Sequence, residues 1–175
     1  MRRHSVPHRA MRRHVCKVVI IAIAAGGCGT QGRDPARSLA ERIAAMREEA
    51  ARHLGAAERA GSVDSIWSET EAYAGVVQSS ISGMRGDLAA LPECRSEGLS
   101  LAASAIDALE LELAQHRGAI ESVRASQEPS VDPGAYVTQA LEETRAHALR
   151  VSQNLDDLAL AVGQLGCEAD GGSVE

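Results

Sequence analysis

Residues 97–127, EGLSLAASAIDALELELAQHRGAIESVRASQ, decide the fold. Ala102, Ile106, Leu109, Leu113, His116, Ile120 and Val123 recur at alternating spacings of four and three. That alternation keeps one stripe of a helix facing a partner, and it is the heptad seam of left-handed helix packing. A second seam begins after Asp132-Pro133 and runs through Val137, Leu141, Thr144, Ala148, Val151, Leu155, Leu158, Val162 and Leu165 without a break in the same spacing. Gly166 ends it.

Two further helices precede these. Asp34-Pro35 is a start signal, with Asp as N-cap and Pro in the first turn. From there to about residue 60 the stripe is Leu39, Ile43, Met46, Ala50, His53 and Ala57, and Gly61 is placed to cap the end. The next helix runs over about 63–90, with Ile66, Tyr73, Val77, Ile81, Met84 and Leu88, and Leu91-Pro92 stops it. Gly75, Gly83, Gly86 and several serines lower its helix propensity and predict a bend. No strand pattern occurs. Four long helices with short connections predict an all-α, antiparallel up-down-up-down bundle over 34–166. A pair of helical hairpins that dimerises satisfies the same heptads. Oligomers through the seams are compatible with either.

Charge divides the chain. It carries 18 basic and 24 acidic residues. Arg2, Arg3, Arg9, Arg12, Arg13 and Lys17 all fall in the first 17, which leaves 12 basic residues against the same 24 acids. An acidic surface excludes nucleic acid as a partner, because phosphate contacts need a basic face. It also excludes a charge patch as the route to anionic lipid. Lys17 is the only lysine, so a Schiff-base or P-loop mechanism has no lysine to use once the N-terminus is removed. Trp67, Tyr73 and Tyr136 are the only aromatics of the Phe, Tyr and Trp kind, too few for stacking platforms.

The N-terminus has the order of an export signal. A basic stretch from Met11 to Lys17 is followed by an apolar run from Val18 to Ala25, then Gly26-Gly27, then Cys28. The apolar run is far short of the ~20 residues that span a bilayer as a helix. MRRH at Met1 recurs at Met11, so either methionine can be the start. Ala25-Gly26-Gly27-Cys28 resembles a lipobox, the processing site of bacterial lipoproteins, with Ala25 where that family usually has Leu. The resemblance covers residues 1–28 alone. It implies cleavage before Cys28 and acylation of that cysteine. Residues 1–27 would be the signal peptide, 28–33 a lipidated tether and 167–175 an acidic tail. It also implies a membrane partner through the lipid and a place in the cell envelope facing the periplasm. Gly29, where family members held in the inner membrane can have Asp, points to the outer membrane. The alternative is an ordinary secreted protein cut nearby.

Of the four cysteines, Cys16 falls in the signal and Cys28 at the lipid site. Cys94 lies between the second and third helices and Cys167 after the fourth, which an up-down-up-down bundle brings to one end. Export places them in an oxidising compartment. A Cys94–Cys167 disulfide is therefore expected, worth about 4 kcal/mol on the chain-entropy account.

No GxSxG elbow, HExxH, P-loop, EF-hand loop or CxxCH is present, so no catalytic residue is assigned and no enzyme or cofactor is expected. Met46 and Met84 read as core filling, and Trp67 and Tyr73 as core anchors. The one chemical alternative rests on histidines. His53 and His116 occupy seam positions, and His147 flanks the fourth seam. Each follows a glutamate by four residues, Glu49, Glu112 and Glu143, on the same helix face. Carboxylates and imidazoles facing a bundle interior can form a metal site. The spacing is not the Glu-x-x-His of di-iron bundles, and a solvated helix pair or a core histidine explains it equally. The expected role is thus a non-enzymatic, lipid-anchored bundle that binds an envelope protein or spaces it from the membrane. A metal- or haem-binding bundle with a redox or storage role is the alternative.

Overall fold

The computed structural model describes residues 34–91 and 96–165. It contains four helices: α1 (Pro35–Glu58), α2 (Val63–Ala89), α3 (Ser96–Ala125) and α4 (Pro133–Gly163). The expected signal, the lipobox-like run with Cys28, and both Cys94 and Cys167 lie outside the described residues. Among the described residues, no helix is long and apolar enough to cross a membrane.

The start signals act as their chemistry requires. The Asp34 carboxylate accepts from Ala36 N at 3.0 Å, and Asp132 accepts from Gly134 N at 3.0 Å, each with Pro at the first helical position. Ser62 caps α2 by accepting from Ser65 N at 3.2 Å. Gly61 does not cap α1. The last turn tightens instead, with Arg59 N and Ala60 N donating to the carbonyls of Ala56 and Ala57 at 3.1 Å, so Arg59 is the C-cap and no left-handed residue is needed.

The bundle is a ring of antiparallel neighbours: α1 on α2, α2 on α3, α3 on α4, and α4 back on α1. The two-hairpin alternative is set aside, since one chain closes the ring. Cross-helix ion pairs mark the directions. Arg42 with Asp87 joins the start of α1 to the end of α2; Arg124 with Asp64 joins the end of α3 to the start of α2. Arg47 with Asp156 and Arg145 with Glu58 cross from α1 to α4. At the other α3–α4 end, Gly98 lies against the α4 terminus, where a Cβ would stand 3.2 Å from Leu165 Cα and 3.3 Å from the Gln164 carbonyl oxygen.

The stripes of α1 and α3 are buried as the spacing predicts. In α2, Leu88 is only partly buried and Thr70 takes a buried position that the apolar pattern skips. The glycine-rich half of α2 continues as one helix. Gly83 has a packing reason: a Cβ there would collide with the Arg42 guanidinium, whose Nε donates to Asp87 at 2.7 Å beside Ser38 Oγ at 2.8 Å. Trp67 is half-buried rather than central, with the Arg124 guanidinium 5.8 Å over its ring.

The fourth seam departs from its reading. Thr144, Val151, Leu155, Leu158 and Leu165 are buried, but Val137, Leu141, Ala148 and Val162 are only half-buried. Ala140, His147 and Ala161 face inward instead. An α-helix turns 3.6 residues, not 3.5, so a strict heptad drifts around a straight helix. At the 147/148 choice, histidine can reach partners across the core and alanine cannot.

The core is not continuous. A large apolar cluster, from Leu39 and Met84 to Leu155 and Leu158, fills one part of the bundle. A smaller one, with Ala57, Val63, Ile66, Ile120, Val123 and Ala140, fills the end at the α1–α2 and α3–α4 connections. Between them lies a polar layer.

Candidate functional site: a buried imidazole layer

Each helix contributes one ring to this layer: His53 from α1, Tyr73 from α2, His116 from α3 and His147 from α4. All are enclosed, with exposures of 2, 0, 1 and 1%. The rings form two stacks. His53 lies parallel to Tyr73 at 4.4 Å between centroids, and His116 parallel to His147 at 4.0 Å. Edge contacts join the stacks, at 5.3 Å for His53 with His116 and 5.5 Å for Tyr73 with His147.

Hydrogen bonds follow the diagonals of the ring. His53 Nε2 and His116 Nε2 are 3.0 Å apart and share one proton donor between them. Tyr73 Oη lies 3.2 Å from His147 Nε2. On its other side, His147 Nδ1 is 3.0 Å from Glu112 Oε1, while Arg150 Nε donates to Glu112 Oε2 at 2.8 Å. A carboxylate only accepts, so His147 Nδ1 carries the hydrogen. Its Nε2 is then a bare lone pair, and the Tyr73 hydroxyl donates to it. Below the rings, Thr70 and Thr144 are fully buried and satisfied by their own helices, donating to Ile66 O and Ala140 O at 2.9 Å.

Two polar atoms are left over. His53 Nδ1 and His116 Nδ1 are buried with no partner. A pair of neutral imidazoles holds two N–H groups and two lone pairs, and the Nε2 contact uses one of each. One N–H therefore remains buried without an acceptor, whichever tautomers the pair adopts. Such a group costs about 1–3 kcal/mol.

Burial dominates the electrostatics. It pushes the His53 imidazole down to about 4, with the neighbouring His147 and Arg52 acting in the same direction and Glu49 against. Burial likewise holds His116 down to about 2. His147 is lowered by burial and pulled partly back by its bond to Glu112. The Tyr73 phenol is raised well above its ordinary range by burial, with Glu49 and Glu112 adding to it. At neutral pH the three histidines are neutral and the phenol keeps its proton.

All three sequence-identified histidines thus meet in one place, but not with the glutamates four residues before them. Glu49 pairs with Arg52. Glu112 turns away from His116 and bonds His147 across the α3–α4 interface. Tyr73 and Arg150 complete the network without any one-dimensional signal beyond Tyr73's place in the α2 stripe. Among the described residues, no three His, Cys, Asp or Glu side chains already surround a common point as a metal cage.

Among several grooves on the outside, one is strongly apolar. A groove of about 510 Å³ runs between α1 and α4, floored by Ala50, Ala51, Val151 and Leu155 and walled by Leu54 and Leu149. Leu149 is 68% exposed. The Arg47–Asp156 and Arg145–Glu58 pairs cross the same interface. No protein-family model matches the chain, and no curated protein or solved structure matches it.

Proposed function

We propose that the chain is a lipid-anchored, non-enzymatic helical bundle of the cell envelope that acts by binding or spacing a partner relative to the membrane. The observation that carries the reading is the run Ala25-Gly26-Gly27-Cys28 placed only six residues before the N-cap of α1 at Asp34. So short a tether would hold the bundle close to the lipid. Helices of 24–31 residues would then extend roughly 36–46 Å from one end of the bundle to the other. Enclosure of the titratable layer also favours this reading, since the layer presents no surface to a substrate-sized molecule. The outside, with its acidic surface and apolar α1–α4 groove, is what a partner would meet.

Feeding labelled palmitate to cells tests the anchor. The wild-type protein should carry the label and sediment with membranes. Cys28→Ser should abolish both. An unlabelled wild-type protein in the soluble periplasmic fraction would replace the anchored reading with plain secretion. Export makes a second expectation, the Cys94–Cys167 disulfide. It is supported by the close approach of Gly98 and Leu165, four and two residues from those cysteines in sequence. Titration of denatured, unreduced protein should find neither thiol free; two free thiols would remove the bond from the description.

A further inference from the structure

We infer that the imidazole layer is a binding site for one borderline divalent transition-metal ion of the zinc or cobalt class, held by His53, His116 and His147 through Nε2 with the Tyr73 hydroxyl as fourth donor. The inference goes beyond the anchored-bundle reading and does not depend on it.

Donor type comes first. Imidazole nitrogen suits zinc, copper, nickel and cobalt. Metal needs the neutral ring, and even an ordinary imidazole is mostly neutral at pH 7. Donor placement comes second. Each of the four helices sends one donor to the same level, and both diagonal donor pairs are close, at 3.0 Å for Nε2 to Nε2 and 3.2 Å for Oη to Nε2. A tetrahedral ion with bonds of about 2.0–2.1 Å wants its donors about 3.3 Å apart. The diagonals need only open slightly. The stacked sides, 4.0 and 4.4 Å between ring centres, must tilt their nitrogen edges together. Among the described residues no group of three His, Cys, Asp or Glu side chains is set to hold an ion as it stands, so binding requires the rings to shift.

The surroundings fit. Glu112 accepts from His147 Nδ1, the carboxylate–imidazole–metal arrangement that fixes a ligand's tautomer and makes it a stronger donor. The same carboxylate places one negative charge beside an otherwise neutral donor set. Binding moves one hydrogen within the His53/His116 pair from Nε2 to Nδ1, so both Nε2 lone pairs face the ion and no proton leaves. The cost is a second N–H without a partner and the loss of the Tyr73 hydroxyl's acceptor on His147, against four metal bonds gained. A haem does not suit this layer, because the stacked rings already occupy the bundle's cross-section.

The test uses the full-length mature protein in detergent, with cysteines alkylated and metal stripped by chelator. Cobalt(II) is added as the spectroscopic probe and zinc as its competitor. One equivalent of cobalt should bind, with visible absorption of tetrahedral intensity that zinc abolishes, and melting should shift upward. His53→Asn and His116→Asn should each lose the absorption while retaining helical circular dichroism. Glu112→Gln should weaken binding about 10–100-fold yet keep the spectrum. The wild-type protein needs no mutant to be decisive. Failure to bind a stoichiometric ion at pH 7.5, or an octahedral spectrum that persists in the asparagine variants, overturns the site.

Discussion

Acidification from pH 7 to pH 4 is expected to destabilise the metal-free bundle by on the order of 3 kcal/mol through its buried imidazoles. Burial lowers the His53 imidazole from its ordinary 6.5 to about 4 in the folded chain. The unfolded chain therefore takes up protons first as pH falls. Stability from this group is fully present above about 6.5 and is lost progressively towards 4. At about 1.4 kcal/mol per unit, His53 alone accounts for on the order of 3 kcal/mol. His116 carries the loss further into acid, because its own value is held lower still. The titratable groups that surround the pair come from every helix: Glu49 and Arg52 on α1, Tyr73 on α2, Glu112 on α3, and His147 and Arg150 on α4. Glu49 is held below its ordinary value, chiefly by its bond to Arg52. Urea unfolding at pH 7.5, 6.5, 5.5 and 4.5 measures the slope directly. A flat profile between 6.5 and 4.5 would mean that the layer admits protons or water freely. His53→Leu with His116→Leu should flatten the profile deliberately.

Glu112→Ala is expected to cost about 3 kcal/mol, the largest loss for a single polar side chain here. Glu112 is 5% exposed and joins a buried imidazole to an arginine that is half in solvent. Truncation removes the acceptor of His147 Nδ1–H, an unsatisfied donor worth about 1–3 kcal/mol. It also leaves the space of the side-chain methylenes, which a packed core does not close fully. Arg150, with its side chain 45% exposed, can turn to water and adds little. Glu112→Gln keeps an oxygen for His147 and should recover most of the loss. Chemical denaturation of the two variants separates the acceptor from the charge. Equal losses would show that the carboxylate's charge, rather than the hydrogen bond to His147, holds the layer.

Much of this was legible in one dimension. The α1 and α3 seams put every expected residue in the core, because their spacing obeys one constraint, the helical period, that local sequence expresses in full. Asp34-Pro35 and Asp132-Pro133 marked two starts for the same reason. Two kinds of information were missing. Periodicity did not choose between His147 and Ala148, since steps of three and four are both allowed after Thr144; partners on α2 and α3 made that choice. Nor did the i to i+4 pairing of Glu112 with His116 indicate its actual use. An acid beside a seam can serve its own helix or the next, and only the packed register decides. Gly83, read as a helix weakener, makes room for a neighbour's guanidinium.

Alanine-rich seams are nearly interchangeable from one heptad to the next. Slid by seven residues, α3 would offer Leu109 or Val123 where His116 now stands, and α1 would offer Met46 or Ala60 in place of His53. Apolar contacts would survive such a slide almost unchanged. The four-ring layer would not, because each diagonal partner would face hydrocarbon. These rings serve as an alignment key: they add little to how strongly the helices associate and much to which of many similar threadings the chain selects.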